Sequence, residues 1–303
     1  MGCSRFLIVA NPTSGRGRGR RTAETVADRL RVPAKQVEIR FTAARGQAEA
    51  LARDACRDAS PPGCIVACGG DGTIQEIANA LAPLRDSMGD LCPVLGIAPA
   101  GRCNDLARAM GIKPDPEFIA EVLSSGMPKK IDLGRVNDRY FCTVATLGID
   151  AEVTSFVDTM RMPLRGTPAY VYGALRVLAR YQPKTLRIEG DFGVIDRPLT
   201  LASSANTRSY GGNIAIAPMA DPTDGYLDLC VIDPVSRLRS LCLLPKLLKG
   251  THESLNIVHF QRTRRLRIDA PEAMEVWADG ERIARTPVTI DIVPAAVRVI
   301  VPR

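Results

Sequence analysis

The sequence predicts an α/β domain followed by an all-β one: an N-terminal doubly wound parallel sheet, then an antiparallel β-sandwich. Three observations carry this. The chain has 303 residues, more than a single hydrophobic core ordinarily serves. Up to about residue 131, short apolar runs alternate with helical patterns, the order of repeated βα units. From residue 132 the runs become rich in Val, Ile, Thr and aromatics, separated by Gly, Pro and Asp turns, which is the grammar of antiparallel strands. The expected domains are therefore 1–131 and 132–294, with a last apolar strand at about 295–303 that can return to the first domain.

The elements follow in order. Residues 6–10 form a continuous apolar run, as a strand buried on both faces requires. A Gly/Arg-rich turn leads to a helix over 22–30, then a strand over 37–41 and an alanine-rich helix over 48–59. Residues 64–68 are a third strand. In the helix over 73–81, Ile74, Ile77, Ala78 and Leu81 fall at the i, i+3, i+4, i+7 spacing of one buried face. A strand over 94–98 and a helix over 105–110 complete the series. In the second half, strands are expected at 139–144, 186–189, 199–202, 226–232, 266–269, 274–277, 288–293 and 297–301, with helical segments at 169–180 and 240–249.

Composition removes several classes of function. Aromatics are 5% of residues, so the core is mostly aliphatic, and there is little to stack on bases; no nucleic-acid partner is expected. The net charge of +7 suits an anionic partner. Nine cysteines with no repeated CxxC read as buried free thiols in a reducing compartment. Only His252 and His259 are available, too little material for a histidine-rich metal site. Uncharged stretches such as 209–220 are far short of a membrane span. Met1-Gly2-Cys3 lacks the Ser or Thr at position 6 that myristoylation needs. The expected location is cytoplasmic.

Three turns follow strands, and in doubly wound sheets ligands bind at the carboxyl ends of strands. The first, NPTSGRGRGRR from Asn11, is neither a Walker A loop nor a dinucleotide fingerprint. Its glycines and arginines fit a phosphate cradle or a solvated loop equally. The second is Gly69-Gly70-Asp71-Gly72-Thr73. Its glycines admit close backbone approach, and Thr73 with Glu76 reads as a capping box. Asp71 is placed to orient the N–H groups of a phosphate loop or to hold a nucleotide-bound metal. The third, APAGRCNDLAR, turns at Gly101 and starts a helix at Asn104-Asp105.

Together Asn11-Pro12-Thr13-Ser14-Gly15, Gly69-Gly70-Asp71-Gly72-Thr73 and Asn104-Asp105 resemble the catalytic domain of bacterial diacylglycerol-kinase-like lipid kinases, which sphingosine and ceramide kinases share. The Gly-Gly-Asp-Gly-Thr block also occurs in NAD kinases. The blocks IDLGRVNDRYF, SSANTRSYGGNIAIAPMADPTDGYLD and WADGE are similar to the lipid kinases in order and spacing, over nearly the whole chain.

The resemblance implies an ATP-dependent lipid kinase that phosphorylates a lipid hydroxyl, most often diacylglycerol, at the inner membrane face. ATP would be lined by Asn11, Pro12, Thr13, Ser14, Gly15, Thr42, Gly69, Gly70, Asp71, Gly72, Thr73, Ile74 and Gln75. Asp221, Asp224 and the carbonyl of Tyr226 would bind Mg²⁺, and Glu281, with Asp71 also counted as catalytic, would accept the proton of the lipid hydroxyl. By residue pattern alone, Asp221–Tyr226 reads first as an ordinary Asp-Gly turn between strands and Asp279-Gly280-Glu281 first as a hairpin turn. Arg16, Arg18 and Arg20 are candidate phosphate contacts. Arg161, Arg165, Arg262, Arg264, Arg265 and Arg267 are candidates for an anionic surface.

Two positions depart from the family pattern. Arg102 stands where the family has a nucleotide-site threonine, and Gln75 stands where Asn is usual. Arg102 can add a phosphate contact or crowd the site. The alternatives are a nucleotide-binding regulator of the same fold that has lost turnover, against which Glu281 stands, and an NAD kinase, against which the 203–228 block stands. A homodimer is left open.

Overall fold

A computed structural model of the chain describes residues 3–31, 35–159, 172–173, 176–177, 180–212, 214–236, 245–247 and 249–303. The expected helical segments at 169–180 and 240–249, and the basic pair Arg161 and Arg165, lie wholly or largely outside them. The chain divides into two compact units, Met1–Leu133 with Pro294–Arg303, and Gly134–Val293.

The first unit is a parallel α/β sheet. Its elements are β1 (Arg5–Ala10), α1 (Ser14–Leu30), β2 (Gln36–Phe41), α2 (Gln47–Arg57), β3 (Cys64–Gly69), α3 (Asp71–Leu81), α4 (Arg85–Met88), β4 (Val94–Pro99), α5 (Asp105–Ala109) and α6 (Pro116–Ser125). Strand order runs β2-β1-β3-β4, all parallel. Every residue of β3 and β4 is buried, which is why these strands read as unbroken apolar runs. β2 lies at the edge and is only half-buried. With this strand order, the right-handed crossovers that parallel βαβ units follow require α1 on one face and α2 and α3 on the other; α1 packs on α6, and α2 on α3. The α6 helix was not evident from periodicity. Its signal is Asp115-Pro116: the Asp115 carboxylate accepts from the Glu117 N–H at 2.9 Å, and Pro116 occupies the first turn.

β5 (Met127–Val136) carries the chain into the second unit. There β6 (Arg139–Phe141), β7 (Val144–Gly148), α7 (Ile149–Thr159), β8 (Lys184–Gly190), β9 (Gly193–Leu199), β10 (Leu201–Ala205), β11 (Leu227–Ile232), β12 (Val258–Thr263), β13 (Arg265–Asp269), β14 (Glu275–Ala278), β15 (Glu281–Arg285) and β16 (Val288–Val301) follow. One antiparallel sheet has the order β12-β11-β10-β7-β14-β15. In the other, the first residues of β16 pair with β13, which pairs with β8, which pairs with β9. Leu147, Ala202, Leu229, Val231 and Val276 of the first sheet share one buried core with Leu186, Ile188, Leu266, Ile268 and Ile290 of the second, so the two inner faces pack as a sandwich. The last residues of β16 belong to the first unit, where Val299 pairs in parallel with Leu95. No helix among the described residues is long and apolar enough to cross a membrane.

Candidate active site

The order β2-β1-β3 makes the β1/β3 border the point where the winding reverses, and ligands of such sheets sit beyond the strand ends there. The turns after β1, β3 and β4 meet at this border. The Asn11 N–H donates to the Cys68 carbonyl at 2.9 Å, fastening turn one to β3. The N–H groups of Ala100 and Gly101 both donate to the Gly69 carbonyl, at 2.8 and 3.0 Å, fastening turn three to turn two.

Two glycines make this meeting possible. A Cβ on Gly101 would overlap the Cα of Gly70, and one on Gly15 would overlap the Ala100 carbonyl oxygen. Gly15, Arg16 and Gly17 have φ of 56°, 65° and 88°, so the chain coils through the left-handed region before α1 becomes regular. This accounts for the later helix start read from the sequence.

Asp71 joins two of the turns. Its carboxylate accepts from the N–H of Asn104 at 2.9 Å and of Asp105 at 2.7 Å. Asn104, with φ 52°, has no side-chain cap bond at the start of α5, so Asp71 supplies the acceptor from another turn. In turn one, the Asn11 side-chain oxygen accepts from the Thr13 N–H and hydroxyl at 3.1 and 2.9 Å. Thr42, at the end of β2, donates its N–H to the Ala10 carbonyl at 2.9 Å. Pro12, Ser14, Gly15, Gly70, Asp71 and Gly72 are half-buried and Thr13 is exposed. Thr73, Ile74 and Gln75 are buried, with Ile74 wholly inside the core.

The capping box expected of Thr73 and Glu76 does not form. α3 begins at Asp71, ahead of Thr73, and has no side-chain cap bond. Glu76 instead accepts from the N–H groups of Gly46 and Ala48, at 2.8 and 2.9 Å. The start of α2 has glycine at its cap and therefore no acceptor of its own, and Glu76 of the packed helix fills that need.

The arginines divide. Arg18 is structural: it donates to the Gly101 carbonyl at 2.9 Å and to the Gly15 carbonyl at 3.2 Å. Arg20 lies over the Phe41 ring at 4.2 Å and pairs with Glu24 at 3.6 Å. Arg16 and Arg102 are exposed.

In the second unit, Asp221 and Asp224 lie in one turn, as the spacing requires. Asp221 accepts from the Thr223 N–H and hydroxyl at 3.0 and 2.7 Å. Asp224 accepts from the Tyr226 N–H at 3.0 Å with one oxygen and pairs with Arg262 through the other. Arg262 and Arg264 cover the Tyr226 ring at 4.5 and 4.9 Å. Burial pushes the neighbouring Asp228 carboxyl up, with Arg262 opposing and Asp224 adding to it. The donors suit a hard cation, though one Asp224 oxygen is held by Arg262. Among the described residues, no group of three or more His, Cys, Asp or Glu side chains could hold a metal ion.

Glu281 opens β15, half-buried, opposite Ala278. The hairpin before it turns at Asp279 and Gly280, with φ of 51° and 82°, the two left-handed residues of a type I′ turn. Beyond its place in the turn, nothing in the sequence marks Asp279 as a functional residue. Its carboxylate accepts from the N–H groups of Cys142 and Thr143 at 2.6 and 2.8 Å.

Similarity to known proteins fits this geometry. The family model described as the diacylglycerol kinase catalytic domain matches residues 5–136, and the YegS C-terminal NAD kinase beta sandwich-like domain matches 143–301. The diacylglycerol kinase of Mycobacterium tuberculosis is 34% identical over 99% of this chain and 96% of its own. The chain belongs to the diacylglycerol kinase-like lipid kinase family, and it is a lipid kinase. The diacylglycerol kinase of Bacillus subtilis is 30% identical over 91% of this lipid kinase and 89% of its own length. A probable YegS-like lipid kinase of Chromohalobacter salexigens is 29% identical over 84% and 80%. The fold matches a solved putative diacylglycerol kinase from Bacillus anthracis with a TM-score of 0.83, at 23% identity and coverage of 99% and 98%.

Proposed function

We propose that this lipid kinase transfers the γ-phosphoryl group of ATP to the hydroxyl of diacylglycerol or a closely related lipid. The observation that carries the ATP reading is the joined set of turns at the β1/β3 border. Asp71 holds turn two to turn three there, and Gly70 and Gly101 leave their meeting point without side chains. Backbone stripped of Cβ atoms at the carboxyl ends of parallel strands lets N–H groups reach phosphate oxygens. Asn11, Pro12, Thr13, Ser14, Gly15, Thr42, Gly69, Gly70, Gly72 and Thr73 line the nucleotide in this reading. Ile74 and Gln75 support it from inside α3 rather than by contact, since both are buried. Arg16 and Arg102, both exposed, are the cations available to phosphate.

Glu281 is the proton acceptor. Phosphoryl transfer asks little covalent work of a protein, so holding the lipid hydroxyl and removing its proton are the main tasks of these side chains. Mg²⁺ would be held by Asp221, Asp224 and the Tyr226 carbonyl, and it supplies fixed positive charge to its surroundings. Arg262 competes with it for Asp224. Arg264, Arg265 and Arg267 are exposed and give an anionic leaflet a basic surface, about 1 kcal/mol for each residue that reaches it. The enzyme thus works at the inner face of the membrane.

Diacylglycerol as the lipid is supported by the diacylglycerol kinases among the relatives. A lipid panel with labelled ATP tests it. Label in phosphatidic acid is the expected product, and ATP binding with no labelled lipid would favour a regulator that has lost turnover.

A further inference from the structure

The dipeptide Cys142-Thr143, between β6 and β7, has all four backbone polar groups taken by two distant segments. Its N–H groups donate to Asp279, at 2.6 and 2.8 Å, and the Thr143 hydroxyl donates to the same carboxylate at 2.5 Å. Its carbonyls accept from Asn206: the Asn206 side-chain amide reaches the Cys142 oxygen at 2.9 Å, and the Asn206 N–H reaches the Thr143 oxygen at 2.8 Å. Thr207 adds a second N–H on the Thr143 oxygen at 3.2 Å. Thr143, Asn206 and Thr207 are at most 2% exposed. Three stretches far apart in sequence are thereby locked on one peptide.

Asp279 is the first residue of a type I′ turn. Asparagine serves such a turn at least as well, so turn formation does not explain a carboxylate here. The second oxygen does. Three donors converge on Asp279 from one side, and an amide would turn its NH₂ toward a donor. Glu281 lies two residues on, in the strand that this turn launches.

We infer that Asp279 is a positioning residue that fixes Glu281 through its clasp on Cys142-Thr143, with Thr143 and Asn206 completing the clasp. This rests on the reading of Glu281 as the proton acceptor. A clasp of charge-assisted bonds at the root of a two-residue turn sets where β15 begins, and general-base chemistry is sensitive to sub-ångström placement.

The test is a double-mutant cycle on lipid phosphorylation. Asp279→Asn keeps the turn-forming ability, so the fold is retained; kcat is expected to fall roughly 10- to 100-fold, with KM for ATP within about twofold. In a Glu281→Gln background the same change costs nothing further, because the residue it positions is gone. Thr143→Val lowers kcat and Thr143→Ser restores it. An equal loss in both backgrounds, or a raised KM with kcat intact, would overturn the positioning role. Glu281→Gln measured alone reports on the proton acceptor itself: if it is as active as the native enzyme, that reading fails, and the positioning role fails with it. If it is inactive while Asp279→Asn is fully active, only the positioning role fails.

Discussion

The carboxylate of Asp71 spans the first peptide of α5, with one oxygen on the Asp105 N–H at 2.7 Å and the other on the Asn104 N–H at 2.9 Å. One side chain thus closes two turns that lie more than thirty residues apart in sequence. Asp71→Asn keeps one acceptor and points an amide N–H at a backbone N–H. The loss is expected to be about 1–3 kcal/mol of stability, together with a raised KM for ATP. Chemical denaturation and an ATP titration read both; a variant unchanged in each would show that the bridge carries neither stability nor binding.

Gly101→Ala places a methyl group on the Gly70 backbone. Neither partner is a flexible side chain, so one of the two turns has to move. ATP binding is expected to be lost or strongly weakened. Gly63→Ala is the control, since its added Cβ would make only ordinary contacts of 3.6 Å with Cys3 and should cost no more than about 0.5 kcal/mol. Equal ATP affinity for the two variants by isothermal titration would contradict the close-approach argument.

Arg262 pairs with the Asp224 carboxylate, and in the proposed site its positive charge competes with a divalent cation there. Arg262→Gln is therefore expected to lower the Mg²⁺ concentration needed for half-maximal activity, and Asp224→Ala to raise it. A Mg²⁺ titration of both variants checks the pair of signs. If Arg262→Gln needs more Mg²⁺ than the native enzyme, the arginine supports the site instead of competing for it.

The cysteines give a pH-dependent signature. The Cys3 thiol is lowered to about 7, chiefly by its hydrogen bond with Cys64 and then by the nearby Arg298 and Lys35 charges, against the opposing effect of burial. Burial pushes Cys56 and Cys103 up to about 11, and Cys68 and Cys230 up to about 12. The thiolate is the reactive form, so below pH 7 Cys3 loses reactivity as it protonates, and from pH 7 to 9 it alone among these five is largely ionised. Brief alkylation at pH 7.5 followed by peptide mass spectrometry should label Cys3 first. Faster labelling of Cys103 would contradict the assignment.

Much of the fold was legible because burial writes directly into composition. β1, β3 and β4 are covered on both faces, so their residues are apolar without interruption. β9 was not legible: it is an edge strand whose residues are mostly exposed, and no apolar pattern marks it. Neither β7 nor α7 was legible: the strand expected at 139–144 ends where β7 begins, and α7 follows β7 with no turn residue between them. In the candidate site, the meeting of three glycine-containing turns followed from their places after parallel strands. The partners within it did not. Glu76 caps a helix other than its own, Arg18 is spent on the Gly101 carbonyl, and Asp279 clasps residues some 136 positions away. Such pairings depend on which elements pack together, and local spacing holds no record of them.

The proposed reaction moves the γ-phosphoryl group of ATP to a lipid hydroxyl, with Glu281 as the proposed proton acceptor. The most direct measurement is incubation with γ-labelled ATP, Mg²⁺ and mixed micelles of diacylglycerol and related lipids, native enzyme beside Glu281→Gln, with label counted in the organic phase. Labelled phosphatidic acid is expected from the native enzyme, and a loss of roughly 10²- to 10⁴-fold in the variant, with ATP affinity retained. Undiminished labelling by Glu281→Gln would contradict Glu281 as the proton acceptor.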